Sequence, residues 1–273
     1  MGGWLGAVLI TAVAGRETTR ELHVFQIMEM RSIIGLLMLY PLIRLNGGLA
    51  AMKTTRLRLH IARNVVHYGA SFSWLIALSL IPLAQVISIE FTMPIWTALL
   101  AVGFLGERMG LWKNAAVVLG LAGVLIIVRP FTGQIGLGQL IALGAALGFA
   151  ASVIMVKALT RTDRVVAILF WMMLIQSVIG FIPALEWWRW PSAYVWALVV
   201  VIAFCGTFSH YCMTQALLYA DATIVVPMDF LRVPLAALVG WLVYAERVDI
   251  FTMLGAALIL AGNLLNLKGT RSS

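Results

Sequence analysis

Charged residues are scarce in this sequence. Asp, Glu, Lys and Arg make up 11% of its 273 residues, whereas hydrophobic residues make up 62% and the mean hydropathy is +1.00. Soluble domains carry about 25% charged residues, and a spanning helix needs about 20 apolar residues, a length that uncharged runs approach through most of this chain. The composition leaves no room for a soluble catalytic or binding domain. It predicts an all-α integral membrane protein that spans a lipid bilayer.

Cysteine and the motifs of metal or nucleophilic chemistry are also nearly absent. Cys205 and Cys212 lie seven positions apart, about 10 Å along a helix, which is too far for a disulfide. The sequence contains no HExxH, paired aspartate or CxxC motif, so we expect no metal and no cofactor. Ser209 and His210 are adjacent, which directs their side chains about 100° apart on a helix and does not suit a nucleophile with its base. A membrane-embedded enzyme is therefore an alternative that these residues do not favour.

The few charged residues, together with Gly and Pro, divide the chain into ten predicted transmembrane helices. An even number of spans places both termini on one side. The formal charge of +8 comes from basic residues that collect in the gaps, which reports orientation rather than nucleic-acid binding. With cytoplasmic termini, twelve basic residues, Arg63 among them, lie in cytoplasmic gaps or at the helix ends beside them, and five in or beside outer gaps, so we predict that orientation. The predicted helices, numbered 1 to 10, are 2–17, 23–43, 61–80, 83–105, 112–129, 135–157, 165–184, 193–218, 222–244 and 250–268.

The sequence also repeats itself. An offset of 139 aligns Glu107-Arg108 with Glu246-Arg247 and Glu90 with Asp229, and neighbouring small and apolar residues agree as well. Chance among Leu, Ala and Gly does not account for matches between residue types that are rare here. Because each half holds an odd number of predicted helices, the second half enters the membrane upside down. We predict two inverted five-helix repeats, residues 1–130 and 131–273.

Two segments carry a family resemblance. Residues 89–109 (IEFTMPIWTALLAVGFLGERM) and 227–248 (PMDFLRVPLAALVGWLVYAERV) each combine a mid-helix Pro with small and apolar residues and end in Gly/Ala-Glu-Arg. They resemble the signature segments of the drug/metabolite transporter superfamily, EamA type, and Arg31 matches an Arg that is common in the second helix of that family. The resemblance implies a ten-helix exporter of small metabolites, most similar to bacterial exporters of amino acids and aromatic metabolites.

Five ionisable residues fall within predicted spans, where a charge costs about 3 kcal/mol unless it meets a partner or water. Glu29 and Arg31 are two positions apart on helix 2 and point in different directions. Asp229 and Arg232 can pair along helix 9, which would equally suit a structural clamp. Since Glu90 and Asp229 are related by the repeat, we expect them at similar depth. The candidate gating or coupling residues are Glu90, Asp229, Arg232, Pro94 and Pro234, the two prolines as hinges.

Polar side chains form stripes on predicted helices 3 and 8, and the repeat superposes these two helices. Such a stripe in lipid lines a cavity or packs against another helix. Rings offer apolar area, while hydroxyl and imidazole groups fix polar parts of a substrate. The candidate substrate-binding residues are His67, Tyr68, Ser71, Trp74, His210, Tyr211 and Thr214.

Together these patterns predict a secondary active or facilitative exporter of amino acids and related small metabolites, including aromatic ones, in the bacterial inner membrane. Its expected cavity lies between the two halves, with helices 1, 3, 4, 6, 8 and 9 around it, a choice partly implied by the resemblance. An inverted repeat suits alternating access better than a channel, which is the second alternative. The exact substrate, proton coupling and the oligomeric state stay open.

Overall fold

The computed structural model describes residues 2–93, 95–97, 99–100, 111–128, 136–219, 232–245 and 249–271, and every structural statement below refers to these. Their regular structure is helical throughout, with a short 3₁₀ helix at Leu49–Met52. The α-helices are α1 (Gly2–Thr18), α2 (Val24–Leu45), α3 (Leu57–Leu80), α4 (Leu83–Glu90), α5 (Leu111–Val128), α6 (Leu137–Leu159), α7 (Val165–Glu186), α8 (Ala193–Tyr219), α9 (Arg232–Tyr244) and α10 (Ile250–Arg271).

Each predicted helix has a counterpart with the same number, and most ends agree within four residues. The exceptions are the end of helix 4 and the start of helix 9, which fall at or beside stretches outside the described residues. Four of the described helices, α2, α6, α7 and α8, are long and apolar enough to cross a membrane. The fold is therefore all-helical with clear apolar spans, whereas the count of ten spans stays a prediction.

The apolar residues of these helices are not confined to the interior. On α7, Val178 is 71% exposed and Ile182 is 77% exposed, and on α8 Phe204 is 58% exposed. In water, contiguous apolar surface of this kind would be an aggregation hazard. In a bilayer it faces lipid tails, while the helices satisfy their own backbone hydrogen bonds.

The described chain divides into two compact units, and each takes helices from both halves of the sequence. The first unit comprises Met1–Leu75 and Met155–Tyr219. In it α2 packs against α7 and α8, and α1 packs against α8. An apolar cluster at one end joins Leu39 and Ile43 of α2 to Met172 of α7, and the indole of Trp171 donates to the Met52 carbonyl at 2.9 Å. This unit contains all the candidate substrate-binding residues.

The second unit comprises Ile76–Ile154 and Ala220–Ser273. Its main contact joins α5 to α10, and α4 packs against α9 and α10. A Cβ atom built on Gly123 would lie 2.6 Å from the Gly255 carbonyl oxygen, and one built on Gly255 would lie 2.6 Å from the Gly123 oxygen. The two backbones therefore approach more closely than any residue with a side chain would allow.

Two pairs of helices that the 139-residue offset superposes pack against each other. The offset carries α2 onto α7, which pack together in the first unit, and it carries α5 onto α10, which pack together in the second. Each unit therefore contains one such contact between the two halves of the sequence. The division of the chain into 1–130 and 131–273 is a division by sequence, and it does not coincide with the compact units.

Candidate functional site

Four polar side chains of the first unit form a hydrogen-bonded group, which we call the arginine–amide cluster. Arg31 of α2 donates from Nη2 to Oε1 of Gln176 on α7 at 3.0 Å. Gln176 donates from Nε2 to Oδ1 of Asn64 on α3 at 3.2 Å. The same oxygen accepts from Nη1 of Arg63 at 2.9 Å. Two guanidinium groups are thus joined through two neutral amides.

The cluster is deeply buried and rich in positive charge. Gln176 and Asn64 have no exposed surface and Arg63 is 4% exposed, whereas Arg31 is partly exposed. The Nε atoms of both arginines are buried without a hydrogen-bond acceptor among the described residues. Within that part of the chain, neither guanidinium forms an ion pair with a carboxylate. Because an uncompensated buried charge costs several kcal/mol, this arrangement is unusual for a purely structural contact.

A second polar group lies beside the cluster on the same helices. Glu29 of α2 is 2% exposed, and neither of its carboxylate oxygens has a hydrogen-bond partner among the residues described. A Cβ built on Gly180 of α7 would lie 2.6 Å from Glu29 Oε2 and 2.9 Å from the Tyr68 hydroxyl of α3. Gly180 therefore leaves the space in which Glu29 and Tyr68 approach each other.

Two imidazoles from α3 and α8 meet in the same unit. The ring centroids of His67 and His210 are 4.9 Å apart, with the planes at 77° in an edge-to-face arrangement. His67 and Ser71 are each 4% exposed, while Trp74 and Tyr211 are half-buried. The structure thus brings one predicted residue from each polar stripe into direct contact.

The other predicted residues of α8 have local partners. The Thr214 hydroxyl donates to the His210 carbonyl one turn earlier, at 2.8 Å, as is common for Thr in a helix. The Tyr211 hydroxyl accepts from Nε2 of Gln215 at 3.0 Å. Thr214 is therefore committed to its own helix, whereas Tyr211 keeps its phenolic proton for a further contact.

Glycines allow α2 to lie close to α7 and α8. A Cβ at Gly35 of α2 would lie 2.8 Å from the Thr207 hydroxyl of α8 and 3.0 Å from the Met173 sulfur of α7. A Cβ at Gly206 of α8 would lie 3.8 Å from Cδ of Arg31. The aliphatic part of Arg31 therefore packs on α8 while its guanidinium reaches Gln176 of α7.

A further polar group closes one end of the first unit. Asp163, in the loop between α6 and α7, accepts hydrogen bonds from the Thr54 hydroxyl at 2.6 Å and from Nε2 of His60 at 2.7 Å. Burial on its own would raise the pKa of Asp163, but the hydrogen bonds from His60, Thr54 and Thr162 outweigh it and hold the pKa below its usual value. The His60 carbonyl accepts from Asn64 at 2.8 Å, which links this group to the arginine–amide cluster.

The candidate gating residues are located only in part. Glu90 is the last residue of α4, in the second unit, and is half-buried. Arg232 and Pro234 fall on the backbone of α9, while Pro94 and Asp229 lie outside the described residues. Their role stays a prediction.

Sequence reasoning missed two members of the arginine–amide cluster. Arg63 counts as a cytoplasmic charge in the prediction, but it lies inside α3, which begins at Leu57, and is buried. Gln176 stands alone in an apolar helix and forms no stripe. Its partners Arg31 and Asn64 are 145 and 112 positions away, so sequence spacing could not connect them. A lone amide in a lipid-spanning helix was the available signal.

Apolar helices long enough to cross a membrane, with buried charged and polar side chains between them, are typical of a multi-pass membrane protein. The model of the EamA-like transporter family matches the chain twice, over residues 5–129 and 136–268. The chain belongs to the EamA-like transporter family. The protein is therefore a transporter and not an enzyme.

Three bacterial relatives illustrate the range of the family. A protein of Rhizobium johnstonii named riboflavin transporter is 33% identical over 222 residues, which cover 81% of this chain and 74% of the relative. An S-adenosylmethionine uptake transporter of Rickettsia felis is 26% identical, covering 96% of this chain and 90% of its own. The pseudopaline exporter CntI of Pseudomonas aeruginosa is also 26% identical, covering 90% and 86%. The names differ in substrate and in direction of transport.

Proposed function

We propose that this protein is a secondary carrier that exports amino acids and related small metabolites, including aromatic ones, from the bacterial cytoplasm. It would lie in the inner membrane with both termini in the cytoplasm and work by alternating access between two inverted repeats. Family membership supports small-molecule transport across a membrane, and export of amino acids is the further step that we propose.

The buried polar interior of the first unit is the observation that carries this proposal. Arg31, Glu29 and His67 come from helices that otherwise face lipid, and such groups are retained in membranes where a polar solute passes or binds. The edge-to-face pair of His67 and His210 and the nearby Tyr68 and Tyr211 supply aromatic surface together with hydrogen-bonding groups. This combination suits a small solute that has a polar end and an apolar or aromatic body.

Efflux from proteoliposomes tests the proposal. Purified protein would be reconstituted with a panel of labelled amino acids inside the vesicles, and release would be measured with and without a pH gradient. We expect saturable release of at least one amino acid, and acceleration by the gradient would show proton coupling. If no labelled amino acid is released, with or without the pH gradient, the proposed substrate class is contradicted.

A matched pair of variants on α8 assigns the transport to the first unit. His210→Ala removes a ring of the imidazole pair, whereas Phe208→Ala removes a ring that is 41% exposed two positions earlier. We expect His210→Ala to change the KM for efflux by about tenfold, the scale of one lost polar contact, and Phe208→Ala to leave it unchanged. Equal effects of the two substitutions would place binding elsewhere.

The repeat-related acids supply a proposed gating element. We propose that Glu90 or Asp229 contributes to gating or to binding of a substrate amine, with Arg232, Pro94 and Pro234 in supporting roles. Glu90→Gln keeps the size and hydrogen bonding of the side chain but removes its charge. A variant with normal efflux at every pH but much lower thermal stability would establish a structural role for Glu90 and end this proposal.

A further inference from the structure

We infer that the arginine–amide cluster is the subsite that binds the carboxylate group of the transported substrate. This inference rests on the proposed function and makes it more specific. It states that the substrates carry a carboxylate, and it assigns that carboxylate to Arg31 and Arg63 rather than to the aromatic residues predicted from the stripes. Both arginines lie in the first unit, on α2 and α3.

The charge balance of the cluster is the first argument. Arg31 and Arg63 bring two positive charges into the interior, and their hydrogen-bonding partners, Gln176 and Asn64, are neutral. The acid nearest to Arg31 in sequence, Glu29, has no hydrogen bond to either guanidinium, and its Oε2 lies beside Gly180, as the Tyr68 hydroxyl does. Because two neighbouring guanidiniums remain charged at all physiological pH values, an anion bound between them removes a large part of the cost of their burial.

The unused donors are the second argument. A guanidinium has five N–H groups, and in the described part of the chain the cluster bonds occupy one on each arginine. The buried Nε of Arg31 and of Arg63 are without acceptors among these residues. A carboxylate has two oxygens and about four acceptor positions, and its spacing matches the fork of a guanidinium. It therefore supplies the acceptors that the cluster lacks.

The fixed geometry of the cluster is the third argument. Gln176 bonds both Arg31 and Asn64, and Asn64 is anchored in turn to the His60 carbonyl at 2.8 Å. The two amides thus hold the guanidiniums in place before a ligand arrives, which lowers the entropy lost on binding. Arg31 is partly exposed as a residue, although its Nε atom is buried.

A structural role alone would predict a different composition. A buried arginine that only clamps helices together is normally matched by a carboxylate or by backbone carbonyls that accept most of its N–H groups. Here the amide oxygen of Gln176 accepts from Arg31, and the amide oxygen of Asn64 accepts from Arg63. The nearby carboxylate of Glu29 bonds neither arginine. This distribution of donors and acceptors favours an anionic ligand over a static contact.

Ligand binding tests the inference independently of transport. Detergent-solubilised protein would be titrated with phenylalanine, methionine and leucine, each as the free acid and as the amide that lacks the carboxylate, with thermal stabilisation as the readout. For the acids we expect binding about 10- to 100-fold tighter than for the matched amides, the range for charge-assisted hydrogen bonds. The ratio of the dissociation constants for the acid and the amide does not depend on the amount of folded protein.

Four arginine variants locate the preference. Arg63→Gln and Arg31→Gln should each lower the acid-to-amide ratio about tenfold or more. Arg58→Gln removes the same charge from an exposed position of α3 and should leave the ratio unchanged. Arg63→Lys keeps a positive charge in the interior but loses the fork, so a partial loss of about threefold to tenfold is expected, and this variant serves if Arg63→Gln does not fold.

The outcomes separate the inference from the proposed function. If acids and amides bind equally, or if the Gln variants keep the wild-type ratio, the carboxylate subsite is wrong even when vesicles still transport the compounds. If none of the six compounds binds, the inference is overturned for amino acids. If acids bind with the expected preference but no labelled amino acid crosses the membrane, the subsite stands and the proposed carrier function fails.

Discussion

The guanidinium of Arg31 donates a hydrogen bond of 3.0 Å to Oε1 of Gln176, a residue 145 positions later in the chain. This bond joins α2 to α7, the two helices that the internal repeat superposes. Gln176 also bonds Asn64 on α3, so one amide holds together three helices of the first unit. The consequences for stability and for ligand binding can be separated by substitution at this one position.

Gln176→Leu should lower the free energy of unfolding by about 3 kcal/mol, because it leaves Arg31 without its described acceptor in a buried setting. Gln176→Glu should lose less, about 1 to 2 kcal/mol, because its carboxylate pairs with Arg31 but can no longer donate to Oδ1 of Asn64. The same variant should lose the preference for substrate carboxylates. Thermal unfolding in detergent measures the first effect, and the acid-to-amide binding ratio measures the second. Equal stability of the Leu and Glu variants would show that the charge of Arg31 does not need a partner there.

Gly180→Ala should destabilise the first unit by about 1 to 3 kcal/mol. Its Cβ would lie 2.6 Å from Glu29 Oε2 and 2.9 Å from the Tyr68 hydroxyl, so these groups must move apart. Gly69→Ala on α3 is the control, because a Cβ there meets nothing within 4 Å and the helix gains up to about 1 kcal/mol from the better propensity of Ala. If both variants unfold at the same temperature, Glu29 and Tyr68 do not approach each other at Gly180.

Acid should remove the contribution of Asp163 to stability. The folded-state pKa of Asp163 is below its usual value, so its carboxylate stabilises the fold above the unfolded pKa of about 3.9. That contribution is lost as the pH falls through the lower folded pKa. The difference in unfolding temperature between wild type and Asp163→Asn should thus be constant above about pH 5 and shrink below about pH 4. A difference that persists unchanged at the lowest pH would exclude a role for the charge.

Single-cysteine labelling should find both termini in the cytoplasm. In a protein without Cys205 and Cys212, Ser192→Cys between α7 and α8 should react with an impermeant reagent added to intact cells. Ser273→Cys should react only after the cells are permeabilised, because twelve predicted cytoplasmic basic residues outnumber five outer ones. Labelling of Ser273→Cys from outside intact cells would contradict the predicted topology.

The helices could be read from the sequence because their signal is local. Hydropathy and charge define spans over about 20 residues, and most observed helix ends lie within four residues of the predicted ones. The polar stripes were also visible, since spacings of three and four residues place side chains on one helical face. His67 of α3 and His210 of α8 come from these stripes, and their rings are in contact.

The arginine–amide cluster could not be read in this way because its bonds link distant segments. Arg63 lies near the start of α3, where a basic residue ordinarily reaches the membrane surface, so no local pattern indicates its burial at 4% exposure. Without Arg63, eleven basic residues rather than twelve remain on the predicted cytoplasmic side against five, so the predicted orientation stays the same. Gln176 could be recognised only as an isolated polar residue, and its role depends on tertiary packing.

The central claim is that a solute binds among the polar side chains of the first unit and is carried across the membrane. Solute counterflow tests it most directly: vesicles loaded with unlabelled phenylalanine are diluted into labelled phenylalanine, and transient accumulation of label is followed. Wild type and Phe208→Ala should accumulate label above equilibrium, whereas Arg63→Gln and His210→Ala should show accumulation reduced about tenfold or more at the same protein content. Label that only equilibrates in the wild type, or accumulation that both variants retain in full, would contradict the account.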